Sequence, residues 1–421
     1  MKREDETLQM RRYPITEVSF GSEERYLNGQ LTIAAEPLRR ELLDARYFDT
    51  IDIDLVAPDE PVRIINIIDV IEPRIKPRLS PPDYYPGLGT EPFPIGSGWT
   101  NVLSGMTIMT TALVEGAEDT AVSCEPGQTL RSRFAESWNL IVSPHPKAGV
   151  RVEEFTRAVY VAGCRAAVAL ARTTLGVEPE KMIELRCPGD SSAHPRIGYL
   201  CYLYSHGFGR QKFLYGRDST GIAPTVIPVT HLLDGAVVDN GYTRPVRNST
   251  YELANNAIAY ELAAENGKDH ACPGLILVPH TPDLRSKASV AWLAARIARD
   301  VLRCDGVVIS KDGGGQADVD VMQAVEACEA LGMRTVAAVC EIAGEQGDMY
   351  PLVTTVKEAD ALVSLGNLTA PVALGKVPRV LGGSRFGRSS DDPYGPFTIP
   401  AAQVPGLIDM MGGTGVCAIV F

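Results

Sequence analysis

The apolar positions of this chain follow two different periods in its two halves. Residues 51–56 alternate, with Ile51, Ile53 and Leu55 against Asp52 and Asp54, which predicts a half-buried strand. Residues 62–70 are almost continuously apolar, interrupted by Asn66, and predict a strand buried on both faces. Residues 15–20 and 31–34 predict a hairpin with Asn28-Gly29 as its turn signal. A short helix is expected over 37–46, a strand over 102–113 and a long apolar helix over about 152–175. The proline-rich stretch 73–94 predicts a long irregular connection.

Beyond about residue 274 the pattern changes to regular alternation of strand and helix. Strands are expected at 274–279, 306–310, 335–340 and 361–365. The helix over 286–302 would turn Val290, Leu293, Ile297 and Val301 inward, and that over 317–331 would bury Val321, Val325 and Cys328. Strand–helix alternation at this spacing means βαβ units and a parallel sheet. The fold class is therefore α/β in two domains. A β-rich α/β domain spans 1–231, a junction 232–256, and a doubly wound parallel-sheet domain 257–421.

Composition narrows the function classes. The chain has 421 residues, 45% hydrophobic and 22% charged, the proportions of a soluble globular protein. A net charge of −12 supplies no basic footprint for nucleic acid or an anionic membrane surface. No apolar run approaches the ~18 residues of a membrane span. Nine cysteines are scattered without a CxxC pair, and the charged first dozen residues have no apolar signal core. A cytoplasmic protein with reduced, buried thiols is expected.

Candidate chemistry centres on Lys311-Asp-Gly-Gly-Gly-Gln316. Asp312, Gly313, Gly314 and Gly315 lie between a strand end and a helix start, where backbone amides can approach a carboxylate or phosphate. The spacing matches neither GxGxxG nor the P-loop, so a nucleotide is not indicated. Asp318, Asp320, Glu341 and Glu345 fall near strand ends as possible acids, bases or ligands. Among the histidines, His206 and His231 are the weak metal-ligand candidates, and none of the six belongs to an HExxH or Cys-His cluster.

Four strings carry a family resemblance. They are Val62-Arg-Ile-Ile-Asn-Ile-Ile-Asp-Val-Ile-Glu-Pro-Arg74, Leu232-Leu-Asp-Gly-Ala-Val-Val238, Asn248-Ser-Thr-Tyr251 with Asn255-Asn256, and the run from Asp305 through Gly315 to Gly332-Met-Arg-Thr-Val336. In this order, from about residue 14 to residue 383, the chain resembles the proprotein of the glycine/sarcosine/betaine reductase component B family. The D-proline reductase proprotein is a close relative of that family. The resemblance implies a subunit of a hetero-oligomeric reductase that cleaves a C–N bond in a small nitrogen-containing carboxylate. A larger partner subunit would carry the cysteine or selenocysteine nucleophile. It also implies self-cleavage just after the segment containing Asp234, leaving a pyruvoyl group that forms a Schiff base with an amine. That chemistry needs Cys or Ser at the cut.

No cysteine lies between Cys201 and Cys272. Asp234, Thr243 and Ser249 are the cleavage-region matches, and an uncleaved chain without pyruvoyl is expected. Asp312, Gly313, Gly314, Gly315 and Glu341 are the expected substrate contacts. The alternatives are a metal-dependent enzyme, with a divalent ion held by His206, His231 or Glu341, and a structural subunit without chemistry of its own.

Overall fold

The computed structural model describes residues 6–77, 84–89, 92–127, 130–187, 194–207, 209–241, 247–414 and 417–418. A seven-stranded sheet forms its centre, in the order Thr225–Ile227, Leu275–Pro279, Ile197–Leu203, Gly306–Lys311, Arg334–Glu341, Leu362–Asn367, Cys417–Ala418. The five inner strands run parallel and the two edges antiparallel. Leu275–Pro279 is buried at every position, as expected where both faces of a parallel sheet are covered. The inner strands, numbered along the chain, lie in the order 2-1-3-4-5, one of the common doubly wound arrangements. The α/β class read from the pattern is the class of the structure.

Helices Leu284–Arg296 and Gln316–Ala330 cover one face of this sheet. The short helices Val229–Asp234, Thr250–Ala254 and Ala257–Ala264 cover the other. Leu8, Met10 and Leu185, from the paired strands Glu6–Pro14 and Lys181–Cys187, share that second core. In the first half, helix Val152–Arg172 packs on strands Ile67–Ile71 and Met106–Thr111. Gly163 allows the close approach, because a Cβ there would lie 2.4 Å from Thr110 Cγ2.

Several expectations differ from the structure. The Asn28-Gly29 turn joins Arg25–Leu27 to Gln30–Ile33, both residues having positive φ as the tight hairpin requires. Glu17–Phe20 pairs with Gln30–Ile33 in parallel instead. The apolar run 62–70 is two strands, Val62–Ile65 and Ile67–Ile71, because Asn66 turns at φ 53° and sends them to different sheets. Leu293 and Val301 face outward, at 45% and 67% exposure, while Ala291, Ala294, Ala295 and Ala298 are buried. An alanine stripe lets the two covering helices approach closely, and the π turn Ile297–Val301 rotates the last residues.

The sheets also cut across the division at 232–256. Ile197–Leu203 precedes the junction and is a middle strand of the central sheet, while Arg379–Leu381 returns to pair with Val62–Ile65. Strand pairing is non-local, and a linear reading of periodicity does not contain it.

Candidate functional site

Two places concentrate ionisable side chains at the carboxyl edge of the central sheet. The first is the point where Ile197–Leu203 and Gly306–Lys311 end side by side and the chain leaves toward opposite edges. Open α/β sheets form their ligand crevice at such a switch point. Here the crevice is a cleft of about 640 Å³ lined by Tyr204, His206, Arg210, Lys287, Gln316 and Asp320, among others.

His280 closes the cleft's inner wall. Its Nε2 lies 2.9 Å from the Asp312 carbonyl and its Nδ1 2.8 Å from Asp320 Oδ2. Lys287 Nζ reaches the same Asp320 oxygen at 2.5 Å. The imidazole thereby pins the first residue of the glycine loop to the first turn and a half of helix Gln316–Ala330. The His206 ring stands edge-on to Tyr204 at 4.5 Å. Burial, then His280 and Lys287, lower its pKa to about 4, so it is neutral at pH 7. Lys287 and Asp320 compensate each other, and Arg210, which donates to the Tyr204 hydroxyl at 3.1 Å, is a further cation on the cleft wall.

Gly313 and Gly315 hold φ of 97° and 71°, which disfavours any side chain. Gly315 caps helix Gln316–Ala330 without a side-chain hydrogen bond, which suits the helix start to an anion. Gly314 is extended or helical in φ but tightly enclosed: a Cβ there would lie 2.9 Å from both Ile342 Cδ1 and Leu368 Cδ1. Beyond it lies a second chamber of about 310 Å³, bounded by Ile342, Leu368, Pro400 and Ala402 and also touched by Tyr204 and Gly314.

The second concentration is the junction. Lys212 is fully buried, 2.5 Å from Asp239 and 2.9 Å from Asp312. Burial pulls its pKa down, and the two carboxylates more than offset this, leaving it above the ordinary lysine value. Arg247 makes a second ion pair with Asp239 at 2.5 Å. Asp312 also accepts from the Asn248 amide at 2.6 Å and the Tyr204 amide at 3.2 Å. Nearby Asp69 accepts from Thr250 N and Oγ1, at 2.9 and 2.5 Å. Burial, then Asp239, raise its pKa to about 7.

The structure thus brings Asp312 and the residues around Ser249 together, and leaves other candidates apart. Asp234 is buried against Lys76 at 2.6 Å and accepts from Gly96 N and Thr100 Oγ1. Thr243 lies outside the described residues. Glu341 is half-buried at a strand end and accepts from the Ser364 hydroxyl. His231 is buried, its Nδ1 2.6 Å from the Tyr215 hydroxyl and its ring against Gly96. His206 and His231 therefore have separate surroundings, and among the described residues no three His, Cys, Asp or Glu side chains converge as a metal site would. Asp318 pairs with the buried Lys311, and Glu345 is exposed. Arg210, Lys212 and Lys287 were not singled out from sequence. Only His280, directly after an apolar strand, carried a positional signal.

Ser249 tests whether pyruvoyl fits. It starts helix Thr250–Ala254 in a capping box, its N–H and Oγ–H donating to Glu252 at 2.7 and 2.9 Å. A pyruvoyl group made from Ser249 has neither donor, so the buried Glu252 carboxyl would lose both bonds. The residues here fit an intact Asn248–Ser249 peptide and do not fit pyruvoyl at that position.

The architecture defines a doubly wound protein with a charged cleft at its switch point and a glycine loop on the cleft wall. The profile of the glycine/sarcosine/betaine reductase component B subunits matches residues 6–395, and the chain belongs to that family. It is 28% identical over 375 residues to the glycine reductase complex component B subunits alpha and beta of Peptoclostridium acidaminophilum, covering 87% of each chain. From the same organism, the sarcosine reductase complex component B subunit alpha is 27% identical, over 84% of this chain and 83% of its own. The betaine reductase complex component B subunit alpha is 26% identical, over 89% and 87%. No solved structure matches the chain significantly.

Proposed function

We propose that this chain is a component-B-type subunit that works uncleaved and without pyruvoyl, binding a small nitrogen-containing carboxylate in the switch-point cleft. The observation that carries this reading is the cleft itself: Arg210, Lys287 and an uncapped helix start converge on an open volume in an otherwise acidic chain. The carboxylate sits toward these groups, which places the substrate nitrogen within the remaining space beside Tyr204 and His206.

The nucleophile that breaks the C–N bond, a cysteine or selenocysteine, comes from a larger partner subunit in a hetero-oligomer. Seven of the eight thiols whose burial is described are buried, the exception being half-buried Cys187. Burial pushes Cys201, Cys328 and Cys340 to about 12, which suppresses their thiolates at neutral pH. Such thiols suit a chain that presents substrate to another subunit's nucleophile.

The test is calorimetric titration with glycine, sarcosine and betaine beside their carboxamides. Binding of at least one acid, weakened tenfold or more by amidation and by Arg210→Ala, is expected. Affinity indifferent to both changes would remove the cleft as the carboxylate site.

A further inference from the structure

Resting on that reading of the cleft, we infer that the substrate has two parts, a polar amino-carboxylate head and an apolar substituent. The argument is one of volume and lining. Glycine has five non-hydrogen atoms. A cleft of about 640 Å³ has the volume of roughly twenty waters, each taking ~30 Å³ in the liquid. A head group of that size leaves most of the polar chamber empty and the second chamber untouched.

The second chamber has the opposite chemistry. Ile342, Leu368, Pro400 and Ala402 bound its apolar part, and about 310 Å³ is room for a ring or a branched alkyl group. Its polar lining is the glycine loop together with Glu118, Thr369 and Gln403. Tyr204 and Gly314 line both chambers, so the two meet across the loop. Gly314 also explains itself in these terms. Its φ does not demand glycine, yet an added Cβ would come within 2.9 Å of Ile342 Cδ1 and Leu368 Cδ1 at the chamber's edge. A side chain there narrows the chamber that the missing side chain leaves open.

The head is held by charge toward Arg210 and Lys287, and the substituent passes Tyr204 and Gly314 into the apolar chamber. Each methylene buried there adds about fourfold to affinity, and a benzyl group tenfold or more. The substrate is thus an amino acid or N-substituted glycine larger than glycine, sarcosine or betaine.

Calorimetric titration of the full chain with glycine and with N-benzylglycine tests this. N-benzylglycine should bind at least tenfold more tightly. Ala402→Phe, filling the apolar chamber, should bring the ratio down toward one, and Ile342→Ala, widening it, should favour longer substituents. Thermal melting of both variants shows whether they are folded, and the second variant keeps the test open if the first is not. Equal binding of the two ligands, or tighter binding of glycine, overturns the two-part substrate and leaves the carboxylate cleft standing. Failure of both ligands to bind overturns the cleft reading and this inference with it.

Discussion

The switch-point cleft and the junction hold similar residue types in opposite circumstances. At the junction, Lys212 and Arg247 are ion-paired with Asp239 and Asp312, so that two cations meet two carboxylates. In the cleft, Lys287 and Asp320 form one pair, and Arg210 is a further cation that borders an open volume. Buried, mutually compensated charges contribute little net stability, because desolvation cancels most of the attraction, but they are costly to break. Groups that border an open volume can meet a ligand as well as their protein partners. On the proposed reading, the segment that the family resemblance associates with maturation is structural, and ligand chemistry belongs to the cleft. Asp312 joins the two regions: its side chain serves the junction and its carbonyl is held by His280.

Breaking the junction should produce the largest effect. Lys212→Met leaves Asp239 and Asp312 buried without their shared cation, and a loss of about 3–5 kcal/mol is expected in urea unfolding. Arg210→Ala in the cleft should change stability by about 0.5 kcal/mol or less. Comparable losses in the two variants would erase the contrast.

A cleft variant should reverse the order of effects. Gly314→Val is expected to weaken N-benzylglycine binding tenfold or more, while costing about 1–3 kcal/mol as Ile342 and Leu368 shift. Calorimetry and urea unfolding on the same sample read both quantities. Unchanged affinity would make the loop a turn and no more.

A pH dependence of stability is also expected. Burial, then Asp409, raise Glu252 to about 8, and Asp69 is raised to about 7. A carboxyl whose pKa is raised by folding stabilises below its unfolded value, near 4, and loses that contribution as pH rises through the folded value. The urea midpoint should therefore fall between pH 5 and pH 8.5, and fall less steeply in Glu252→Gln. Parallel slopes in the two proteins would mean that Glu252 is ionised throughout.

Four strands of the central sheet were legible because they are apolar runs separated by helices of recognisable period, whereas Ile197–Leu203 and the two edge strands were not read. Asp312 and the three glycines were legible for the same reason, lying between a strand and a helix. The partners that give the loop its meaning were not. Arg210 and Lys212 flank Gln211, yet one borders the cleft and the other is sealed in the junction. Their difference arises from strand Gln211–Leu214 pairing with Val237–Asn240, a contact between distant segments. Lys287, near a helix start, was not singled out and is buried on Asp320. The Ala291–Ala298 stripe was hidden because alanine carries little hydrophobic signal while giving the closest packing.

Denaturing mass spectrometry of the freshly purified protein tests the central claim most directly. An intact junction requires a single species at 45.4 kDa. Two fragments, the second beginning within 239–250 and blocked by a keto-acyl group, would contradict it. Thr243 and Ser249 would then be the residues to substitute first.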